Sequence, residues 1–293
     1  MPTPTADKTT QALHRAAEEI ARSDHLLISA GAGMGVDSGL PDFRGNEGFW
    51  KAYPKFRQTG LSFTDLANPA WFDRKPAQAW GFYGHRFNLY RKTLPHPGFQ
   101  ILRSWAESAN SSFVFTSNVD GHFQRAGFPP ESIYECHGSI LHLQCSRACT
   151  DRIWPADFDH IALNEEALLA DEPLPACPLC GAVARPNILM FGDGRWLPDR
   201  SDEQERRYIQ WLGETQVSGE KKQGSGRIRG NLAVIELGAG LAVPTVRWAG
   251  EATGGNLIRI NPRDHEVPAG GIAIPLGAMS ALEKIADILG RSG

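Results

Sequence analysis

Four of the five cysteines fall into two close pairs, a spacing that is typical of a metal site. The first pair is Cys145 and Cys149, and the second is Cys177 and Cys180. Four thiolates can close a tetrahedral zinc site that leaves no coordination position for a reacting water. An odd cysteine count in a long chain argues against a disulfide scaffold. We therefore predict one structural zinc ion, with reduced cysteines that bind no metal as the alternative.

A glycine-rich segment follows a short apolar run and could hold a phosphate group. Residues 25–30 read as a buried strand, and Gly31 and Gly33 follow it directly. Glycines let the backbone approach a pyrophosphate closely, and exposed N–H groups can bind its oxygens. Val36 stands where the dinucleotide fingerprint would have its last glycine. The spacing alone therefore leaves a phosphate loop and a structural turn equally open.

Three polar side chains stand where a reacting group could be held. Asn118 and Asp120 follow an apolar run over 112–116, and His137 lies between Cys136 and a glycine. An imidazole suits general-base work because its pKa lies near neutrality. The alternative for Asn118 and Asp120 is turn capping, and the alternative for His137 is an ordinary turn. Cys136 fits a small core-facing residue better than a nucleophile.

The elements that must position these residues are four short apolar runs, which we predict to be buried strands. The runs lie at 25–30, 112–116, 232–237 and 256–260. Each ends in a polar or glycine-containing turn, and ligands of open α/β sheets bind at the carboxyl ends of the strands. We therefore expect the four turns to meet at one crevice. Amphipathic helices are predicted over 11–21 and 278–289.

The predicted fold class is α/β: a Rossmann-like parallel sheet domain with an inserted small zinc-binding module and a helical insertion. Residues 1–293 are treated as one catalytic unit. The sheet domain is assigned residues 10–45, 98–138 and 186–290. The aromatic-rich residues 46–97 form the helical insertion over the crevice, and residues 139–185, which hold the cysteine pairs, form the zinc module. A flexible loop is predicted over 218–230.

The bulk composition disfavours several classes of function. The chain has 293 residues, 41% of them hydrophobic, so it can bury a sizeable core. A formal net charge of −3 gives no positive field that would collect phosphates, so we expect no nucleic-acid partner. No apolar run approaches the roughly 18 residues of a membrane span, and the first ten residues lack the core of a signal peptide. We predict a monomeric, cytoplasmic protein without membrane contact.

The glycine segment continues into a sequence that closely resembles the NAD loop of the sirtuins. The resemblance runs over residues 31–45, Gly-Ala-Gly-Met-Gly-Val-Asp-Ser-Gly-Leu-Pro-Asp-Phe-Arg-Gly. It implies that Ala32, Phe43 and Arg44 line an NAD site. In the family the arginine contacts the cofactor, and the phenylalanine shields the reacting ribose carbon from water. The other cofactor-binding positions that the resemblance implies here are Gly31, Gly33, Val36 and Asp42. Gly35 stands where the family usually has serine.

Further motifs resemble sirtuin elements in the order of the family. Residues 116–120, Thr-Ser-Asn-Val-Asp, resemble Thr-Gln-Asn-Ile-Asp, with Ser117 in place of the glutamine. The resemblance implies that Asn118 orients the ribose or a water. It also implies that Asp120 holds the nicotinamide carboxamide, aided by the backbone near Val119, and that His137 is the general base.

Two late turns resemble the elements that bind the adenosine half of NAD. Gly238, Ala239 and Gly240 stand where the family has Gly-Thr-Ser, so two hydroxyls are missing. Asn261 could reach the adenosine ribose, and Arg263 lies near it in the sequence.

Two segments resemble the parts of sirtuins that bind the acylated substrate. Residues 185–193 resemble a segment whose extended backbone pairs with the substrate peptide. In this segment Ile188, Leu189 and Met190 would border the acyl-lysine tunnel beside Phe191. The pair Tyr83 and Arg86 resembles the sirtuin class that accepts succinyl and malonyl lysine. At i and i+3 the two side chains share a helix face, and a guanidinium binds a carboxylate in two-pronged fashion. The alternative is a helical pair that faces core and solvent.

Together these motifs span residues 26–261 and imply a protein-lysine deacylase that consumes NAD. The resemblance implies that the acyl oxygen attacks the ribose carbon of NAD as nicotinamide leaves, and that hydrolysis yields free lysine and acylated ADP-ribose. The expected partner is a protein with an acylated lysine. The alternatives are a mono-ADP-ribosyltransferase or NAD glycohydrolase on the same fold, and a non-catalytic NAD-binding protein.

Overall fold

A six-stranded parallel sheet forms the centre of the larger lobe, as predicted. Its strand order is β11-β10-β9-β1-β2-β3. The strands are β1 (His25–Ala30), β2 (Ser111–Thr116), β3 (Ile133–Glu135), β9 (Leu232–Leu237), β10 (Asn256–Ile260) and β11 (Ile272–Ile274). Every residue of β1 and β9 is buried. For this reason these strands are continuous apolar runs in the sequence and do not alternate between apolar and polar residues. The sequence reasoning missed β3 and β11, since three residues are too few to give a periodic signal.

The computed structural model describes residues 4–41, 49–51, 53–54, 57, 60–164, 166–217 and 231–292. The loop predicted over 218–230 lies outside the described residues. So do three of the predicted cofactor contacts: Asp42, Phe43 and Arg44.

Helices cover both faces of this sheet. One face packs against α1 (Pro4–Arg22), α5 (Gly98–Ser108) and α9 (Ala278–Ser292), and the other packs against α7 (Asp199–Val217) and α8 (Thr245–Ala252). Successive strand side chains point to opposite faces, so Ile28 lies in the first core and Leu27 in the second. Within the described ranges, every helix is too short or too polar to cross a membrane.

A second lobe combines the helical insertion with the cysteine-containing segment. Its helices are α2 (Phe63–Leu66), α3 (Ala70–Arg74) and α4 (Pro76–Lys92). Its strands are β4 (Gly138–Cys145), β5 (Ile153–Pro155) and β8 (Ala184–Ile188), which pair antiparallel, and the small ladder β6 (Leu163–Asn164) and β7 (Leu169–Ala170). Both parts contribute to one hydrophobic core.

Close contacts hold α4 against the small sheets of the second lobe. Trp80 of α4 is fully buried, and its indole Nε1 donates a hydrogen bond of 2.8 Å to the carbonyl of Ala184 at the start of β8. Gly81 lies so close to the backbone of Leu168 that a Cβ would stand 1.8 Å from its carbonyl oxygen. The two segments that the sequence reasoning treated as separate insertions therefore stabilise each other.

The turn after β9 packs tightly against the turn after β1 in the larger lobe. Gly238 has a φ of 61°, and a Cβ there would lie 2.4 Å from the carbonyl carbon of Gly33 in the turn after β1. Gly238→Ala should lower the free energy of unfolding by about 2–4 kcal/mol, because it adds a strained backbone conformation to a steric clash. Chemical denaturation measures this change.

The matched control is Gly213→Ala on the exposed face of α7, where a Cβ would meet nothing within 4 Å. Alanine is the better helix former, so this variant should gain up to about 1 kcal/mol. An equal change in the free energy of unfolding in both variants would contradict the tight packing of the two turns.

Candidate active site

A cavity of about 490 Å³ lies between the carboxyl edge of the parallel sheet and the second lobe. The turns after β1 and β2 form one wall, and α4 and the segment after β8 form the opposite wall. The predicted site residues that line it are Ala32, Tyr83, Arg86, Ser117, Asn118, Val119, Asp120, His137, Ile188, Leu189, Met190 and Phe191. Residues proposed for catalysis, cofactor and substrate thus face one space.

Asn118 joins the ends of two neighbouring strands. Its backbone N–H donates to the hydroxyl of Thr116 over 3.0 Å, and that hydroxyl donates to the carbonyl of Ala30 at the end of β1. Its side-chain Nδ2 donates to the Gly31 carbonyl over 3.1 Å. One of the two N–H donors of the amide is therefore used within the protein, and Oδ1 is the atom that can accept a hydrogen bond from a ligand hydroxyl.

Asp120 combines a capping contact with a place in the cavity wall. One carboxylate oxygen, Oδ1, accepts a hydrogen bond of 2.8 Å from the backbone N–H of His122, at the start of the short helix α6 (His122–Arg125). The capping that we considered as the alternative is therefore present. A carboxylate has a second oxygen, so this contact does not prevent Asp120 from accepting a hydrogen bond from a ligand.

His137 is the imidazole of this cavity. Burial holds the pKa of His137 below its ordinary value of 6.5, and a hydrogen bond with the backbone of Ser117 offsets part of this shift. The ring is therefore neutral at pH 7 and can accept a proton. For the neighbouring Cys136, burial raises the thiol pKa to about 12. This thiol keeps its proton and is a poor nucleophile, as the sequence reasoning expected.

The segment after β8 borders the cavity in an extended conformation. The backbone N–H of Leu189 donates to the carbonyl of His137 over 3.0 Å, and that of Phe191 donates to the carbonyl of Ala67 over 2.9 Å. Ile188 and Met190 are buried, whereas Leu189 and Phe191 are 41% and 43% exposed. The alternation gives the segment one face toward the core and one toward solvent.

A buried ion pair joins β8 to the turn that follows that segment. The side chains of Arg185 and Asp193 are 1% and 0% exposed, and Nη1 of the arginine lies 2.8 Å from Oδ2 of the aspartate. Asp193 Oδ1 also accepts a hydrogen bond from the backbone N–H of Arg195. Asp193 Oδ2 also accepts a hydrogen bond of 3.4 Å from the backbone N–H of Met190, so the carboxylate bridges the turn at Gly192, which has a φ of 67°. It therefore holds the preceding segment at the cavity.

The predicted acyl-binding pair lies on the cavity side of α4. Tyr83 and Arg86 are 1% and 6% exposed, so neither faces bulk solvent. Burial raises the pKa of Tyr83 to about 12, although the charge of Arg86 opposes the shift, so the phenol keeps its proton and can donate. Arg86 donates from Nε and Nη2 to the hydroxyl of Tyr90 over 3.0 and 2.9 Å.

A second cavity of about 210 Å³ continues the groove along the sheet edge. Gly238, Ala239 and Gly240 line it, and it shares Ala32 and Ser117 with the larger cavity. Two adjoining cavities of this size, at the carboxyl ends of parallel strands, fit a dinucleotide.

Four other predicted cofactor contacts are not among the residues that line the two cavities: Gly33, Val36, Asn261 and Arg263. Gly33 donates its N–H to the Gly238 carbonyl, so it packs the two glycine turns together. Buried Asn261 donates from Nδ2 to the Ala239 carbonyl over 2.7 Å, and its Oδ1 accepts the backbone N–H of Arg263. These contacts shape the turn that lines the smaller cavity.

The paired cysteines converge at the far end of the second lobe. The four sulfur atoms of Cys145, Cys149, Cys177 and Cys180 lie within 4.8 Å of one another. Two of the sulfur–sulfur distances are 3.7 and 3.6 Å. A tetrahedral site with zinc–sulfur bonds of about 2.3 Å requires sulfur–sulfur distances of about 3.8 Å, which is close to these values. The donor set therefore fits a structural zinc ion.

The match to the Sir2 family covers residues 31–207, more than half of the chain. The chain belongs to the Sir2 family. It is similar to the NAD-dependent protein deacylase 1 of Caldanaerobacter subterraneus subsp. tengcongensis, with 31% identity over 60% of this chain and 64% of that protein. It is also 31% identical to the mitochondrial NAD-dependent protein deacylase sirtuin-5 of Danio rerio, over 60% of this chain and 59% of the relative. The match thus spans less than two thirds of these curated relatives.

Solved structures show the same fold. A Sir2 homolog–NAD complex superposes with a TM-score of 0.67 at 23% identity, covering 95% of this chain and 94% of the other. A second Sir2 enzyme gives a TM-score of 0.64 at 22% identity, over 97% and 99% of the two chains.

Three of the polar residues that line the two cavities of this Sir2-family chain were not among the predicted site residues: Tyr90, Asp193 and Asp264. Tyr90 could have been found, because it follows Arg86 by four positions on the same predicted helix. Asp193 ends the segment 185–193 discussed above, and neither its residue type nor that of Asp264 indicates a place at a cavity. Asp193 is buried through its partner Arg185, and Asp264 reaches the smaller cavity through the turn that Asn261 holds.

The cysteine cluster gives a direct test of the metal prediction. Cys177→Ala should lower the zinc content from about one ion per chain to near zero, because three thiolates cannot close the tetrahedral site. Metal analysis of the purified protein measures this, and thermal unfolding should show a lower Tm. Cys136→Ala, the fifth cysteine, is the matched control and should keep its zinc. Zinc bound equally by both variants would rule out this site.

Proposed function

We propose that this Sir2-family chain is an NAD-dependent protein-lysine deacylase. One observation carries the proposal: the neutral imidazole of His137 faces the same cavity as Asn118, Asp120 and the segment after β8. That cavity continues into a second one beside Gly238, so a cofactor and an acylated side chain could meet at the imidazole. The relatives named as NAD-dependent protein deacylases support the same activity.

The groove along the sheet edge is the proposed binding site for NAD. Its adenosine half would occupy the smaller cavity beside Ala239 and Gly240, and its nicotinamide half would lie toward Asn118 and Asp120. When bound, NAD supplies a ribose carbon that can take the acyl oxygen while nicotinamide leaves. The proposed contacts outside the described residues are Asp42, Phe43 and Arg44, which rest on the resemblance of residues 31–45.

The chain's own residues have distinct roles in this proposal. His137 accepts a proton from a ribose hydroxyl, which its low pKa allows at neutral pH. Asn118 orients a hydroxyl or a water through Oδ1, since its Nδ2 is bound to the Gly31 carbonyl. Asp120 accepts from the nicotinamide amide. The carbonyls of the segment after β8 bind the substrate peptide. The four cysteine thiolates bind zinc as a structural ion, and a reducing compartment such as the cytoplasm would keep them available.

The acyl group is proposed to end in a carboxylate, as in succinyl or malonyl lysine. Arg86 offers a buried positive charge in the cavity wall, and Tyr83 offers a protonated phenol one helical turn away. A buried guanidinium binds a carboxylate strongly because few water molecules compete for it.

The decisive experiment measures nicotinamide release from NAD with an acetyl-lysine peptide, with a succinyl-lysine peptide and without peptide. Release should require an acyl peptide, and His137→Ala should lower it at least about 100-fold, because the general base is lost. His160→Ala, which changes an exposed histidine of the second lobe, should leave the rate unchanged. Peptide-independent release would indicate an NAD glycohydrolase, and label transferred to protein would indicate an ADP-ribosyltransferase.

The pH dependence provides a separate prediction. Burial holds the pKa of His137 below 6.5, so the base stays neutral at pH 7 and is lost only as the pH falls through that lowered value. The profile of kcat/KM should therefore be flat around neutrality, with its acid limb below pH 6.5. An acid limb above pH 7 would argue against His137 as the base.

The acyl preference can be tested at Arg86. Arg86→Met keeps most of the side-chain length but removes the charge, so kcat/KM for the succinyl peptide should fall at least about tenfold relative to the acetyl peptide. Arg91→Met, on the same helix but outside the cavity wall, is the matched control and should keep the ratio. If Arg86→Met leaves the ratio of kcat/KM for the two peptides unchanged, the proposal of an acidic acyl group is wrong, whereas the proposal of deacylation is unaffected.

A further inference from the structure

The smaller cavity has few polar side chains of its own. Among the described residues that line it, only Ser117 and Asp264 carry one, and the others are glycines or apolar residues. Ser117 also lines the larger cavity, whereas Asp264 lines the smaller one alone, where the adenosine half of NAD is proposed to lie. An apolar pocket orients its ligand through a small number of well-placed polar groups. The position of Asp264 is therefore important for the ligand of this cavity.

The backbone of Asp264 is held from both sides. Its N–H donates to Oδ1 of Asn261 over 3.0 Å, and its carbonyl accepts a hydrogen bond of 2.8 Å from Nη1 of Arg247 on α8. Both backbone groups of the residue are therefore bonded within the protein. Its carboxylate has no hydrogen-bond or ion-pair partner in the part of the chain that the structure describes. A carboxylate of this kind can accept a hydrogen bond from a ligand.

Arg247 joins two borders of this cavity. It follows Val246, which lines the cavity from α8, and it bonds the turn that carries Asp264. Its Nη2 donates a second hydrogen bond of 3.1 Å to the carbonyl of Glu266 in the same turn. A guanidinium holds its N–H donors in one plane, so it can bond two carbonyls at once. Arg247 is buried, and the charge of a guanidinium strengthens such hydrogen bonds.

A second buried arginine near this turn has a different set of partners. Arg259 of β10 also donates to the carbonyl of Glu266, but it forms ion pairs with Glu236 and Glu251 over 2.5 and 2.7 Å. Arg259 thus ties together β9, β10 and α8. Arg247 bonds only backbone carbonyls among the described residues, and both of these carbonyls belong to the turn. The contacts of Arg247 therefore serve the shape of this turn.

We propose that Arg247 is a positioning residue for cofactor binding: it holds the turn of residues 261–266 so that the Asp264 carboxylate accepts a hydrogen bond from the adenosine half of NAD. This proposal rests on the proposed NAD site. The donors of that half are the ribose hydroxyls and the adenine amino group. A carboxylate repels the pyrophosphate, so Asp264 contacts the sugar or the base.

The test is a double-mutant cycle on ADP-ribose binding to the full chain, measured by calorimetry. Asp264→Ala removes the carboxylate but keeps the backbone groups that Asn261 and Arg247 bond, and its affinity should fall roughly tenfold. Arg247→Met should weaken binding by about the same factor. The double variant should bind no more weakly than the weaker single variant, because Arg247 acts through Asp264. Arg206→Met, at an exposed arginine of α7, is the matched control and should leave the affinity unchanged.

Two further measurements separate positioning from a general loss of structure. Arg247→Lys keeps the charge and can bond one carbonyl, so its affinity for ADP-ribose should lie between those of the unaltered chain and Arg247→Met. The same cycle can be run with this milder variant. In Arg247→Met, KM for NAD should rise roughly tenfold, whereas KM for the acyl peptide and the zinc content should stay unchanged.

Three outcomes would overturn the proposal. If the losses multiply to about 100-fold in the double variant, the two residues act independently. An unchanged affinity for ADP-ribose in Arg247→Met would show that the turn does not need this side chain. If the unaltered chain does not bind ADP-ribose, the proposed NAD site itself is wrong and the role of Arg247 falls with it. Binding by the unaltered chain therefore distinguishes a failure of the proposed function from a failure of this inference.

Discussion

The passage of the backbone from one sheet to the other at His137 is the constraint on which the site depends. Cys136 still donates its N–H to Thr116 at the end of β2, whereas Gly138 already pairs with Ile188 of β8. Because its two neighbours in the chain are held by these contacts, His137 lies at the junction of the two lobes. Gly138 has a φ of 77°, and a Cβ there would lie 2.1 Å from the Asn187 carbonyl oxygen, so no other residue fits.

The same junction fixes the other wall of the cavity. The His137 carbonyl accepts the N–H of Leu189, which holds the segment after β8 beside the backbone of His137. On the opposite side, the hydroxyl of Thr116 and the amide of Asn118 join the ends of β1 and β2. Hydrogen bonds to main-chain carbonyls therefore hold both walls of the cavity in place, and two of these bonds come from side chains.

Burial determines the charge state of the imidazole in this frame. The imidazole of His137 is neutral because burial disfavours its cation. Asp193 forms an ion pair with Arg185, and its carboxylate holds the turn at Gly192 through the backbone N–H groups of Met190 and Arg195. Arg86 is buried beside aromatic rings, and its Nε and Nη2 donate to the hydroxyl of Tyr90. One neutral imidazole and one buried guanidinium thus face the same cavity.

The sequence by itself determined the parallel sheet, the paired cysteines and most of the residues that line the cavity. Continuous apolar runs such as 25–30 and 232–237 indicate buried parallel strands, and local spacing indicates a metal site. Tertiary structure alone decided that the helical insertion and the cysteine segment share one core, since that depends on contacts between distant residues such as Trp80 and Ala184. It also decided that Asn261 shapes a turn without lining a cavity, and that Asp264 lines the smaller one. A residue type shows which hydrogen bonds a side chain can make, but only packing determines where its partners lie.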